Sequence, residues 1–251
     1  MDYILTLLTS LTQEALAPTT AAFALAAIGL NVHFGLTGLV NMGQAAFLLL
    51  GAYGFAISIS NGLPDGTTTI LWFTYSNNGV NGWWIRIVGW GLVALFTLVL
   101  FLLMRSPWGR VVKAIREDED AVRSLGKNVY SYKMQALVFG GALGALAGVI
   151  YVLPSSVQPD AMGRSMTFFI WTALILGGAA TVFGPVLGAI LFFVVRLFIR
   201  TLAGDFIPNS IMSAQQAEQF SYVLVGVALM LLIVFRPQGL LGNKKELTFS
   251  V

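Results

Sequence analysis

Apolar runs interrupted by glycine, rather than an apolar–polar alternation, set the pattern of this chain. No Asp, Glu, Lys or Arg occurs from Ala15 to Pro64, nor in Ile87–Met104, Met134–Pro159, Ser165–Val195 or Gln219–Phe235. A helix needs about 20 mostly apolar residues to cross the hydrocarbon of a bilayer. The first run therefore holds two spans, Ala15–Phe34 and Leu39–Ser60, with Pro18 suited to the first turn of the first. Trp84–Met104, Tyr132–Leu153 and Glu218–Phe235 supply three more. Ser165–Val195 would be about 46 Å long as one helix, too long for an upright crossing, and it is broken at Gly177-Gly178 and Gly184-Pro185. It reads as two short helices, Met166–Val182 and Pro185–Leu202, which either cross twice or re-enter. The fold class is an all-α polytopic membrane protein with about seven membrane segments. Its helices are broken by glycine, its pattern is compatible with a weak internal repeat, and residues 1–251 form one transmembrane domain.

Composition narrows the function classes. Hydrophobic residues make up 57% of the chain and charged residues only 10%, with a mean hydropathy of +0.82. A soluble domain carries roughly 25% charged residues, so an ordinary cytosolic enzyme and a disordered chain are excluded. With no cysteine and one histidine, disulfides, thiolate sites and a His-based metal cluster have no raw material. Met1–Glu14 lacks Lys and Arg, so it has no signal-peptide n-region, and the first span is expected to serve as the insertion signal. The net charge of +3 argues topology rather than nucleic acid as a partner. Arg105, Arg110, Lys113, Arg116, Arg123, Lys127 and Lys133 fill one segment, and Arg236, Lys244 and Lys245 the tail. The helix count puts both segments on one face, which the positive-inside rule makes cytoplasmic. The C-terminus then lies in the cytoplasm and the N-terminus outside.

Three regions carry candidate chemistry. In residues 105–132, acidic Glu117, Asp118, Glu119 and Asp120 precede Arg123, with apolar Ala121, Val122 and Leu125 between them and Gly126 as a C′ stop. This suits a short helix along the membrane that docks into a partner's groove; a merely solvated loop fits equally. In Gly35–Gln44, dense glycines (Gly35, Gly38, Gly43) break or kink a helix, and Asn41 and Gln44, three apart, are expected on one helix face. A second break, at Gly178, Thr181 and Gly184, has a similar look, and Gly38-x4-Gly43 and Gly184-x3-Gly188 are candidate repeat positions. Paired interrupted segments point to a midplane substrate site, where helix ends offer N–H groups to a carboxylate and C=O groups to an ammonium. The competing reading is close helix packing, with Asn41 and Gln44 as interhelical hydrogen-bonding residues. His33 lacks acidic neighbours in sequence and reads as hydrogen-bonded rather than as a relay. Arg196 and Arg200 read as snorkelling to headgroups, and Trp83, Trp84 and Trp90 as an aromatic belt. The polar loop Asn61–Asn81 is either an outer docking surface or a plain connection.

A family resemblance sharpens this. Asp120-Ala121-Val122-x-x-x-Gly126 resembles the EAA-x3-G loop of ABC-importer permeases, with Asp for Glu and Val for the second Ala. Ala114–Tyr151, Gly35–Tyr53, the stretch from Gly184, and Phe235–Gly242 are similar to permeases of branched-chain (hydrophobic) amino acid importers of the LivM/LivH type. The resemblance covers about Gly35 to Gly242. It implies a multi-pass permease of the bacterial cytoplasmic (inner) membrane that imports hydrophobic amino acids by alternating access. The implied partners are a second homologous permease, two cytoplasmic ATPases carrying ATP and Mg²⁺, and an extracytoplasmic substrate-binding protein. Glu117, Glu119, Asp120, Ala121, Arg123, Leu125 and Gly126 would form the ATPase-coupling surface. Gly38, Asn41, Gly43, Gln44, Gly178, Thr181 and Gly184 would line the substrate pathway. The chain itself would be no enzyme and hold no cofactor or metal, in keeping with the absence of a G-x-x-x-x-G-K-[ST] motif. Urea or short-chain amides, substrates within the same family, are the alternative. So is an ion-coupled secondary transporter: with Glu14 and Glu218 only at helix ends, the spans essentially lack the acidic site that proton coupling needs, though not the carbonyls of a sodium site.

Overall fold

The computed structural model describes residues 2–62, 67–70, 73–76, 82–154, 162–206, 214–236 and 238–242. Helix α1 (Asp2–Ala15) is followed by α2 (Pro18–Leu30), which continues as a π-helical segment, Asn31–Leu36, and then by α3 (Gln44–Gly62). A small antiparallel hairpin pairs β1 (Thr67–Ile70) with β2 (Phe73–Ser76), Thr67 opposite Ser76. Next come α4 (Gly82–Arg105), α5 (Pro107–Glu117), α6 (Glu119–Ser124) and α7 (Val129–Val152). The chain closes with α8 (Arg164–Gly177), α9 (Gly184–Phe206) and α10 (Ala214–Phe235). Among the described residues four helical stretches are long and apolar enough to cross a membrane: Pro18–Leu36, Trp83–Arg105, Val129–Val152 and Gly184–Gly204. Gln44–Ser58 and Ser165–Gly177 are apolar but shorter. This is a multi-pass, essentially all-α membrane protein.

Several boundaries differ from the sequence expectation. The second span begins at Gln44, not Leu39, because the chain from Thr37 to Gly43 is not helical. The segment expected over Met166–Val182 stops at Gly177, where Gly178 takes φ +114°. Helix α1 went unread, being too short for a span. It leaves Tyr3, Ile4, Leu5 and Leu8 exposed and packs on α9. Of the loop Asn61–Asn81, only the end of α3 and the hairpin strands fall within the described residues.

The core is built around α2. Its sequence is apolar on every face, as expected of a helix surrounded by others, and Ala21 through Leu30 are buried. It packs against α7, α9, α4 and α8. Lipid tails are as apolar as leucine, so hydrophobic exclusion does little to join helices in a bilayer; small residues that admit close backbones do more. That rule is visible at α2, where a Cβ on Gly29 would stand 2.5 Å from the Gly140 carbonyl oxygen. Around it α3 meets α7 through Gly51 and Gly148, whose added Cβ atoms would overlap the backbones of Ala145 and Leu48. Helices α8 and α9 meet through Gly177, Gly184 and Gly188. Larger aromatic groups fill the remaining space, with Phe23 edge-on to Phe193 at 4.9 Å between ring centroids and Phe169 stacked on Tyr222 at 4.7 Å.

Arg196 departs from the snorkelling expectation. Its guanidinium donates to the Tyr222 hydroxyl at 2.5 Å, faces Glu218 at 3.6 Å and Glu14 at 3.8 Å, and lies over the Phe193 and Tyr222 rings. The pairing of this cation with partners on α1 and α10 ties three helices together.

Candidate functional site

The first break starts where the π-helical segment ends. Gly38 adopts φ +72°, a left-handed conformation that side chains disfavour, and turns the chain out of the helix. Asn41 Oδ1 then accepts from the Gly43 amide at 2.8 Å, an Asx turn that leads into α3. The expectation that Asn41 and Gln44 share a helix face is therefore corrected: Asn41 precedes the helix and bonds to Gln44 directly, Nδ2 to Oε1 at 3.0 Å. Gln44 is fully buried and donates to the Ala26 carbonyl at 3.3 Å. Ala26 lies well back along α2 from Leu36, roughly 15 Å at 1.5 Å per residue. The loop 37–43 thus doubles back along α2, with Val40 and Met42 exposed, and α3 starts beside the middle of α2. One orphan donor of this helix start is met by Thr167 Oγ1, which accepts from the Ala45 amide at 3.1 Å.

His33 anchors the turn. Nε2 lies 3.1 Å from the Leu137 carbonyl oxygen and Nδ1 lies 2.9 Å from Asn41 Nδ2. A carbonyl only accepts and an amide NH₂ only donates, so the ring is neutral with its proton on Nε2. Both nitrogens are engaged, in line with the hydrogen-bonded reading of this residue. The Asn41 amide is likewise fully occupied. Trp171 Nε1 donates to the Asn41 carbonyl at 3.1 Å, with its ring edge-on to Phe34 at 4.6 Å.

The second break is a compact turn between α8 and α9. Thr181 Oγ1 donates to the Gly178 carbonyl at 2.8 Å and accepts from the Gly184 amide at 3.0 Å, capping the start of α9. Ala180 holds φ +68°. The last carbonyls of α8 are satisfied from the C-terminal turn: the Leu240 amide donates to Leu176 at 3.1 Å and the Leu241 amide to Gly177 at 3.0 Å. The two breaks touch through Asn31. Its Nδ2 donates to the Thr181 carbonyl and its Oδ1 accepts from the Ala180 amide, both at 2.8 Å. Asn31, Trp171 and Thr167 were missed in the sequence; the signal for Asn31 was an amide inside an uncharged apolar run.

The charged segment folds as two helices rather than one. Pro107 opens α5 and Asp118 separates it from α6, its side chain accepting from the Asp120 and Ala121 amides at 3.0 and 2.9 Å. Gly126 (φ +74°) ends α6, with the Lys127 amide reaching back to Val122 and the Gly126 amide to Arg123. Val122 is buried with Ile115 and Val129, a small second core. Glu119 bonds Lys133 at the start of α7 and accepts from Arg123 at 2.6 Å. The Lys133 hydrogen bond holds the Glu119 carboxyl below its ordinary pKa of 4.5, aided by the nearby positive charges of Lys133 and Arg123. Glu117, Asp120, Ala121, Arg123, Leu125 and Gly126 are exposed, Leu125 by 77%. The Arg116 stem approaches Gly38, where an added Cβ would lie 3.8 Å from its Cγ. The charged pair of helices therefore abuts the first break. No group of three His, Cys, Asp or Glu residues able to hold a metal ion occurs among the described residues.

Comparison with known proteins points to one family. Residues 65–234 match the family model described as branched-chain amino acid transport system / permease component. The chain is 25% identical to the high-affinity branched-chain amino acid transport system permease protein LivM of Escherichia coli, over 90% of this chain and 69% of that protein. It is 29% identical to the probable LivM permease of Methanocaldococcus jannaschii over 64% of this chain. To the BraD permease of Pseudomonas aeruginosa it is 29% identical over 78% of this chain. It spans about half the length of these last two, 49% and 54% respectively. No solved structure matches it.

Proposed function

Because the chain belongs to the family of branched-chain amino acid transport permease components, we propose that it is the translocation subunit of an ATP-driven importer. It moves branched-chain or other hydrophobic amino acids into the cytoplasm by alternating access, across a bacterial-type inner membrane. Its partners are a second homologous permease, two cytoplasmic ATPases that bind ATP and Mg²⁺, and an extracytoplasmic substrate-binding protein. The C-terminus and the α5–α6 segment face the cytoplasm, and the N-terminus faces outward.

The observation that carries this reading is the α5–α6 unit. Val122 anchors it from within, while Ala121 and Leu125 stand exposed and apolar beside the charges of Asp120 and Arg123. An apolar knob ringed by charge suits a groove on an ATPase. Closure of the ATPases would press on α5 and, through Arg116, on the loop at Gly38. The substrate path runs by the two breaks, past Gly38, Asn41, Gly43 and Gln44 on one side and Gly178, Thr181 and Gly184 on the other. Asn41 and Gln44 spend their amides on protein partners, so substrate meets them only in a state that exchanges those bonds.

Reconstitution with the partner ATPases and binding protein tests the reading. Uptake of leucine into proteoliposomes should require ATP; uptake driven by an ion gradient without ATPases overturns it. Ala121→Arg should abolish ATPase docking and uptake while the chain still inserts. Normal assembly and transport in that variant remove α6 from the coupling role.

A further inference from the structure

We infer that Asn31 is a positioning residue that locks the α8–α9 turn to the π-helical end of α2, so that the two interrupted segments move as one body during transport. This rests on the proposed transport function, though the contact itself does not. The amide of Asn31 is fully buried and presents its donor and its acceptor to successive residues of the opposite turn, Thr181 and Ala180. A carboxamide carries an N–H donor and a carbonyl acceptor on one carbon without charge or titration, which matches this pair of partners. The surroundings are shaped to admit it: a Cβ on Gly35 would overlap Asn31 Oδ1 and stand 2.5 Å from the Ala180 amide nitrogen.

Among the described residues the turn also packs through Ala179, Val182 and Phe183, the last against the Phe101 ring, but its hydrogen bonds to the π-helical segment are those of Asn31. Thr181 spends its hydroxyl on the turn's own ends, Gly178 and Gly184. The C-terminal turn bonds Leu176 and Gly177, at the end of α8, and not residues 179–183. The strained Ala180, at φ +68°, is thus held at its amide by Asn31. On its other side the π-helical segment packs against α5 and α7. A displacement of α5 is thereby passed by packing to the π-helical segment and by the Asn31 hydrogen bonds to the α8–α9 turn, beside the direct packing of α2 on α8 and α9. A π-helical turn is a common site for such a functional irregularity in a helix.

Two variants break the lock from different sides. Asn31→Leu removes both hydrogen bonds while keeping the branch at Cγ, and Gly35→Ala forces the amide away. Each is assembled with the partner subunits and compared with wild type for three readings: ATP hydrolysed, leucine imported, and amide exchange in the peptide covering residues 178–183. Both variants should assemble and hydrolyse ATP. Exchange at Ala180 should quicken, and the ATP consumed per leucine imported should rise at least about tenfold, the scale set by losing a single one of the two hydrogen bonds. An unchanged ratio with quickened exchange overturns the inference, because the bond is then broken without consequence. Loss of assembly in both variants also overturns it, making the contact one of folding alone. Wild-type uptake that needs no ATP refutes the transport function instead, and is read in the control.

Discussion

At the residue scale the first break is a closed polar circuit in an apolar setting. Asn41 gives both its N–H bonds away, to His33 and Gln44, and accepts from the Gly43 amide. Replacing it strands acceptors on the buried His33 and Gln44, while the exposed Gly43 amide can turn to water. A buried group left without its partner costs about 1–3 kcal/mol. Asn41→Leu should therefore lower the thermal midpoint of the detergent-solubilised protein by several degrees, whereas Met42→Ala, at a neighbouring exposed side chain, should leave it within error. Equal midpoints for the two variants would show the circuit to be idle. Most of this was illegible beforehand. Asn41 and Gln44 stood out as polar residues in an apolar run, but the helical periodicity that put them on one face assumed a helix that Gly38 ends. Asn31 bonds a residue 150 positions away, and no local pattern encodes such a pairing.

At the element scale α6 is a six-residue helix, too short to be stable alone, and it persists through its ends and its docking on α7. Asp118 caps the start, Gly126 closes the end, and Glu119 holds Lys133. The pH dependence follows from the lowered Glu119 pKa. A carboxyl that is more acidic in the folded state stabilises that state above its unfolded pKa, and this contribution is lost as pH falls through the native value. The docking of α6 should thus be complete at neutral pH and fail progressively below about pH 4.5, the ordinary glutamate value. Amide exchange over residues 119–124 should rise in that range, and Glu119→Gln should show the raised exchange already at pH 7 with no further step. The existence of this short helix and its glycine stop were legible, because caps are local chemistry. Helix α5 was not, since the charge run masked the apolar positions Val112 and Ile115, whose burial depends on packing elsewhere.

At the scale of the whole molecule the bundle is held by close backbone approach and a few polar ties. The glycines of α3 and α7 test the first. Gly51→Ala and Gly148→Ala would each drive a methyl group into a backbone that cannot yield, whereas Gly54→Ala meets nothing within 4 Å. The first two should lose about 1–3 kcal/mol, the range of an overpacked interior, and the third should be neutral or slightly stabilising because alanine favours helix. Denaturation in mild detergent would rank them; a loss at Gly54 equal to that at Gly51 would contradict the packing account. Arg196 represents the polar ties, joining α1, α9 and α10 through Glu14, Tyr222 and Glu218.

The sequence alone determined what must hold in any arrangement of the helices. Uncharged runs fix a membrane environment, because a bilayer offers nothing to satisfy a charge. Local backbone chemistry marks some helix limits, such as Pro18 and Pro107 at starts and Gly126 at an end, whereas Gly29, Gly51 and Gly148 sit inside helices. The motifs fixed the family. Only the tertiary structure decided which groups meet: Asn31 with Thr181, His33 with Leu137, Arg196 with Glu14, and the C-terminal turn with α8. Within a span, one polar residue looks much like another. Its partner is selected by the three-dimensional placement of small residues that let two distant backbones come within hydrogen-bonding reach.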